Sequence, residues 1–414
     1  MFVRAQPKGR GGMFVLLSVL MLLTVLALPA AAMTGAPLDL AEAEERAVAR
    51  DLPRQAALAM SSRYREQADS DAQLADPQVI VGYEDGYTMK EYTIGLRQDI
   101  PRWNNLDLRR SVQQYLATGE EHRSELATRA VLREVRAVWF DLWYRTRAVQ
   151  IIEHHVTVLG EVVAASAERY ATGGLSQQQL LVLELEQRMQ RDRLLSAQER
   201  EETARVGLAR LIGEQPAARP LPEELPTLPQ LQPREALQQA LPQHPAVQIA
   251  HSRLQAAEEE AALAGQYYSG FMVDLLYRRN DQDEDRLGVM FTVPLPIAPS
   301  QRQDRREAAG RLRAEATMLE RDNILRTLAS EVDTAYSRLD RLTERIRLYR
   351  ESIMPQSRLV GEAAATGYQH TTEDFVNVMR ALVLERENEL NQLQVQTDLA
   401  TTHAALLYYQ ESTP

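Results

Sequence analysis

The chain has 414 residues, with 58 acidic against 47 basic side chains, a formal net charge of −11 and no cysteine. An acidic balance argues against a nucleic-acid partner, which needs a basic face. The lack of cysteine excludes disulfides, thiolate catalysis, cysteine-ligated metals and a lipid-modified N-terminal cysteine.

Arg4, Lys8 and Arg10 precede an apolar run from Met13 to Leu28, closed by Pro29 and Ala30-Ala31-Ala32. Basic start, apolar core and small-residue end mark residues 1–32 as a secretory signal peptide, with an uncleaved anchor as the alternative. Removal of those three positive charges takes the mature chain from −11 to −14. No later apolar stretch approaches the roughly 18 residues of a spanning helix. Residues 38–70 have a helical pattern (Leu40, Ala43, Ala47, Val48, Ala56, Met60) broken at Pro53.

Two short segments then alternate with period two. In 78–84, Val79, Val81 and Tyr83 share one face; in 92–100, Tyr92, Ile94, Leu96 and Ile100 do the same. One apolar face with aromatics near its ends, opposite a polar or small face, is the pattern of a membrane β-barrel strand. Hairpins packed on a soluble core alternate in the same way. The intervening Asp85-Gly86 fits a water-facing loop.

From about Asn104 to Thr172 no proline intervenes, and Val131, Val135, Val138, Leu142, Val149, Ile152, Val156, Leu159 and Val163 follow a four-three alternation. That is a heptad seam on a helical rod of roughly 100 Å. Only Arg145 and Ser166 break it before Tyr170. Trp139 and Trp143, one turn apart, read as packing residues against the adjacent helix. His154-His155 read as part of a solvated flank. A returning helix ends in Leu208-Ala209-Arg210-Leu211-Ile212-Gly213, and residues 214–233 form an extended linker with Pro216, Pro220, Pro222, Pro226 and Pro229.

The same order then recurs. His244-Pro245 splits a helical stretch as Leu52-Pro53 does, with the prolines 192 residues apart. Phe271, Val273, Leu275 and Tyr277, then Leu287, Val289, Phe291 and Val293, form a second alternating pair. Gly288 and Pro294 lie 193 residues after Gly95 and Pro101. The joining run Asn280-Asp281-Gln282-Asp283-Glu284-Asp285 is a solvated loop and lacks the spaced ligands and central glycine of a calcium loop. A second rod has the seam Leu325, Leu328, Val332, Ala335, Leu339, Leu342, Ile346, Tyr349, Ile353, Val360 and Ala363. It ends in Ala365-Thr366-Gly367, 194 residues after Ala171-Thr172-Gly173. Pro355 is expected to kink this rod or break its ladder. The near-constant offset identifies an internal duplication: residues 33–213, the linker 214–233, and residues 234–414. Four strands cannot stand alone in lipid, because open edges leave backbone groups unpaired, so insertion and oligomerisation stand or fall together.

Signal, then twice over helix, strand pair, long helix, glycine turn and returning helix: this order resembles the outer-membrane efflux protein family, the TolC-like channels. The sharpest points are Arg169-Tyr170-Ala171-Thr172-Gly173-Gly174-Leu175-Ser176 and Ala365-Thr366-Gly367-Tyr368, which resemble the family's two periplasmic hairpin tips. The resemblance implies a mainly α fold with a small β part. Three chains would give a twelve-stranded outer-membrane barrel, four strands per chain, continuous with a periplasmic α-helical barrel. It further implies an outer-membrane exit duct of a Gram-negative tripartite efflux system. Thr172, Gly173, Gly174, Leu175, Thr366, Gly367 and Tyr368 would then meet a periplasmic adaptor. The adaptor would link the duct to an inner-membrane pump of the proton-driven RND type. Asp374 and Asn377 match the family's entrance ring, with Glu373 in their place if the alignment slips by one. Asn377 departs from the expected charge, and these acids also fit the favourable end of a helix dipole.

Nothing in the chain reads as catalytic. His122, His154, His155, His244, His251, His370 and His403 form no HExxH, and there is no GxSxG, P-loop or GxGxxG after a strand. No metal site or cofactor is expected. The rival to a passive channel is a periplasmic coiled-coil scaffold that conducts nothing.

Overall fold

The computed structural model describes residues 36–410 except 88–89, 267–269, 283 and 370–374. The expected signal segment 1–32, His370, Glu373 and Asp374 therefore lie outside the described residues.

Helices α1 (Leu40–Ala49) and α2 (Leu52–Asp71) meet where Pro53 enters the first turn of α2, a place where a missing N–H costs nothing. Strands β1 (Gln78–Asp85) and β2 (Lys90–Pro101) follow, then α3 (Asn105–Ala171), an unbroken helix of 67 residues. Helix α4 (Gln177–Ile212) returns along it. The linker opens with one helical turn, α5 (Glu214–Ala217), and then runs extended to α6 (Arg234–Ala240). Next come α7 (Pro245–Ala264), β3 (Gly270–Asn280), β4 (Asp285–Thr292) and α8 (Pro299–Leu348). A single π-helical turn (Tyr349–Ile353) separates α8 from α9 (Met354–Gln369), and α10 (Phe375–Leu406) closes the chain. The strands exceed the expected segments by one to three residues at most ends.

The heptad seam of α3 is buried at Val135, Leu142, Val149, Ile152 and Leu159. Around Trp139 the buried stripe is wider than a coiled-coil seam, because α1, α4 and the linker all converge there. Trp139, Phe140 and Trp143 pack with Leu38, Ala43, Leu208 and Ile212. Both indole N–H groups find backbone acceptors, Trp139 on Leu38 O at 3.3 Å and Trp143 on Pro222 O at 3.1 Å. The tryptophans thus staple the N-terminal segment and the linker to the rod. A second core joins Leu237, Leu241 and Val247 to Leu328 and Val332 of α8 and Leu406 of α10.

The second rod departs from its expected seam. Leu328, Val332, Leu342 and Ile346 are buried, but beyond them Met354 and Ser357 are buried while Val360 is exposed. The cause is the π turn, closed by Met354 N–H on Tyr349 O. One extra residue in a turn rotates everything after it by about 100° and advances the seam by one position. Pro355 explains the turn: its ring would clash with the carbonyl four residues back and it has no N–H to offer. The expected kink is thus a local widening of the helix.

Candidate functional site

The four strands form one antiparallel sheet in the order β1-β2-β3-β4. Register places Val79, Leu96, Leu275 and Val289 in one row across it, and Val81, Ile94, Tyr277 and Leu287 in the next. All eight side chains are exposed, Val81 at 79% and Leu287 at 76%. Tyr83 and Tyr92 stack beside them at 5.1 Å. Among the described residues no helix packs on the sheet. The soluble-hairpin alternative fails here, because no core covers the apolar face. An uncovered apolar face of this extent needs an apolar surrounding.

The opposite face carries charge. Arg97 grips Asp274 with both arms of its guanidinium, Nε to Oδ1 at 2.7 Å and Nη2 to Oδ2 at 2.9 Å, and Asp274 is fully buried. This bidentate pair joins β2 of the first repeat to β3 of the second. Arg278 approaches Glu91 at 3.6 Å further along. Tyr277 Oη donates to Asp285 at 2.8 Å near the loop, where Asn280 Oδ1 accepts from the N–H groups of Gln282 and Glu284.

Below the sheet, α2, α3, α7 and α8 pack side by side in the same order as their strands. Gly310 allows α8 to approach α7 closely, since a Cβ there would stand 2.9 Å from the Ala261 Cα. Sheet and helical layer therefore end at the same two edges, β1 with α2 and β4 with α8; neither sheet edge has a strand partner among the described residues, and α8 packs also on α10.

At the far end, α3 stops through a local code. Thr172 caps it and Gly173 adopts φ +80°, with Gly173 N–H on Tyr170 O at 3.0 Å and Gly174 N–H on Arg169 O at 2.8 Å. These two bonds form a Schellman motif. Two residues later Ser176 starts α4 with a reciprocal capping box: its Oγ accepts from Gln179 N–H, and its own N–H donates to Gln179 Oε1 at 3.0 Å. Leu175, half-buried, lies between the two caps.

The second expected tip differs. Thr366, Gly367 and Tyr368 are still helical, and Thr366 Oγ1 donates to Glu362 O at 2.8 Å inside α9. Helix α9 therefore runs past the Ala365-Thr366-Gly367 ending read from the sequence. No second glycine or capping serine follows Gly367, so nothing ends the helix there. Asn377 lies in the first turn of α10 and is exposed.

The two hairpins meet near these ends. Leu159 of α3, Leu183 of α4 and Met379 of α10 form a small core. Further in, the buried Arg386 of α10 donates to Gln190 of α4, and His155 of α3 bonds Glu389 of α10 at 3.0 Å. Burial, then the nearby charge of Arg193, lowers the Arg386 pKa. His155 thus corrects the reading of a solvated flank; only His154 is exposed. Arg386 and Gln190 carried no sequence signal, because a lone arginine among Glu385 and Glu387 reads as part of a charged surface. Among the described residues, no group of three or more possible metal ligands occurs and no helix is long and apolar enough to cross a membrane.

No protein-family model matches the chain, and no curated protein does either. Solved structures do. The outer membrane protein VceC from Vibrio cholerae aligns with TM-score 0.76 at 15% identity, covering 89% of this chain and 95% of that one. The CmeC outer membrane channel of Campylobacter jejuni gives 0.76 at 12%, covering 89% and 85%. The open state of the Neisseria gonorrhoeae MtrE outer membrane channel gives 0.73 at 16%, covering 90% and 88%. The chain has the fold of these outer-membrane channels over nearly its whole described length.

Proposed function

We propose that three copies of this chain close edge to edge into an outer-membrane channel, the passive exit duct of a tripartite efflux system. The observation that carries the reading is the uncovered sheet, with full four-strand apolar rows on one face, ion pairs on the other and two open edges. Pairing β4 of one copy with β1 of the next satisfies the edge backbone groups and gives twelve strands around a polar lumen. Matching edges on α8 and α2 continue the closure into a helical barrel in the periplasm. The shared fold supports the same arrangement. A periplasmic scaffold leaves the exposed apolar rows without a role.

In this reading the caps at Thr172, Gly173, Gly174 and Leu175, with Thr366, Gly367 and Tyr368 on the other hairpin, present the tips to a periplasmic adaptor. The adaptor links the duct to an inner-membrane pump of the proton-driven RND type. Asp374 and Asn377, or Glu373, line the entrance, where a carboxylate ring favours cations.

Separation of inner and outer membranes, followed by the mass of the detergent-extracted species, tests the reading. Three chain masses from the outer membrane are expected; a soluble periplasmic monomer or dimer overturns it. Conductance then tests the entrance: Asp374→Ala is expected to lower cation selectivity, and Glu373→Ala to do so if the ring lies one residue earlier.

A further inference from the structure

The chain is acidic overall, yet the two connectors leaving the sheet and the opening turns of α3 and α8 that follow them are together basic and apolar. Residues 102–110 carry Arg102, Arg109 and Arg110 against Asp107, and residues 299–313 carry five arginines against Asp304 and Glu307. Arg110 pairs with Asp69 at 3.1 Å, Arg311 with Glu307, and Arg313 with Glu260. Arg102, Arg109, Arg302, Arg305 and Arg306 are exposed and form no ion pair among the described residues. Arg302 lies in the first turn of α8, where a positive charge opposes the helix dipole, so it does not serve the helix.

Large apolar side chains stand exposed beside these arginines. Trp103 is 96% exposed in the β2–α3 connector and Ile297 94% in the β4–α8 connector, with Val293 and Leu295 also exposed. A cleft of about 380 Å³ runs between the connectors, lined by Ile100, Pro101, Leu106, Arg109, Phe271 and Pro294, with Asp99 on its wall. Ile100 and Phe271 are paired in the register and lie on the strand face that carries Leu96 and Leu275, so the apolar band continues into the connectors.

We propose that the two connectors and the opening turns of α3 and α8 form a cationic and aromatic collar that binds the phosphate headgroups of anionic phospholipids in the leaflet nearest the helices. The inference rests on the barrel reading above. Unpaired guanidinium groups complement phosphate. The exposed Trp103, Leu295 and Ile297 match the depth at which amphipathic and apolar side chains meet headgroups. An acidic partner protein would satisfy the charge but leave these apolar side chains in water.

Trp103 supplies its own reporter, since Trp139 and Trp143, the two other tryptophans, are buried in the helical core. The mature trimer is placed in phosphatidylcholine bilayers containing a minor fraction of phosphatidylglycerol, with one or the other lipid brominated near its headgroup. Brominated phosphatidylglycerol is expected to quench Trp103 at a lower mole fraction than brominated phosphatidylcholine. Arg102→Gln/Arg302→Gln/Arg305→Gln/Arg306→Gln is expected to remove that preference, by roughly fivefold for each arginine near the surface. Equal quenching by the two lipids overturns the collar and leaves the barrel standing, as does a preference unchanged in the variant. Quenching by neither lipid places Trp103 outside the headgroup layer and overturns the collar, while the barrel reading stands or falls on the mass of the outer-membrane species. A variant trimer that falls apart in lipid-free detergent assigns the arginines to a neighbouring copy and overturns the collar.

Discussion

The two hairpins are copies of one module, and they differ where their helices turn or bend. The first runs 67 residues without a break and ends in a Schellman turn and a capping box within five residues. The second is interrupted by a π turn before Pro355, and its helix runs on through Thr366 and Gly367. A duplicated heptad pattern thus specifies two rods but not the same phase along both. One proline shifts the seam of every residue after it. The first hairpin is locally encoded at its tip, and the second is locally disturbed in its shaft.

The strongest way to break this comparison is through the cores. Trp139→Ala in the first repeat is expected to cost about 3–5 kcal/mol, and Leu328→Ala in the second about 2–5 kcal/mol. Urea unfolding of the solubilised protein checks both. A loss under 1 kcal/mol for Trp139→Ala would mean that the staple on Leu38 holds nothing.

The position before the helix-opening proline sharpens the contrast. It is the exposed Leu52 in the first repeat and the buried His244 in the second. Burial, then the charge of Arg129, lowers the His244 pKa from 6.5 to about 4. Between those values the unfolded chain binds the extra proton and the folded one does not. Stability is therefore expected to fall as pH drops from 6.5 to 4, by up to about 3 kcal/mol, and to change no further from this group below 4. His244→Leu should flatten that part of the profile. An unchanged slope would assign it to other groups.

The tip glycines give effects of opposite sign. Gly173 sits at positive φ in open space, so Gly173→Ala is expected to cost about 1–2 kcal/mol by backbone conformation alone. Gly367 lies within a helix, so Gly367→Ala should stabilise locally by about 0.5–1 kcal/mol. Hydrogen exchange of nearby amides separates the two; the same sign at both would mean that α9 ends before Gly367. Ser176→Ala should cost about 1 kcal/mol at the first tip.

Finally, the absence of cysteine makes single-cysteine labelling free of background. Val360→Cys is expected to react readily and Met354→Cys slowly. Pro355→Ala, by letting the π turn tighten to α-helix with every residue retained, should reverse that order, and no reversal would mean that the turn does not set the seam.

Much of this was readable in the residues. Period-two alternation located all four strands, and the register of the sheet then put Val79, Leu96, Leu275 and Val289 in one row. Gly173-Gly174-Leu175-Ser176 specified a turn because glycine at positive φ and a serine cap act on their own backbone neighbours. Pro355 announced a break at its own position. Such signals depend on atoms within a few residues, so a linear pattern carries them.

Tertiary structure decided what depends on distant partners. Arg97 and Asp274 are 177 residues apart and become one bidentate pair only when β2 lies against β3. Arg386 and Gln190 become buried only where α10 crosses α4, and His155 leaves the solvated flank only because Glu389 arrives from another helix. The phase of the second seam below Pro355 belongs here too. A heptad count assumes constant turns, and the chain chose a wide one. Periodicity identifies which face of an element is apolar; packing decides what meets that face, and whether anything does.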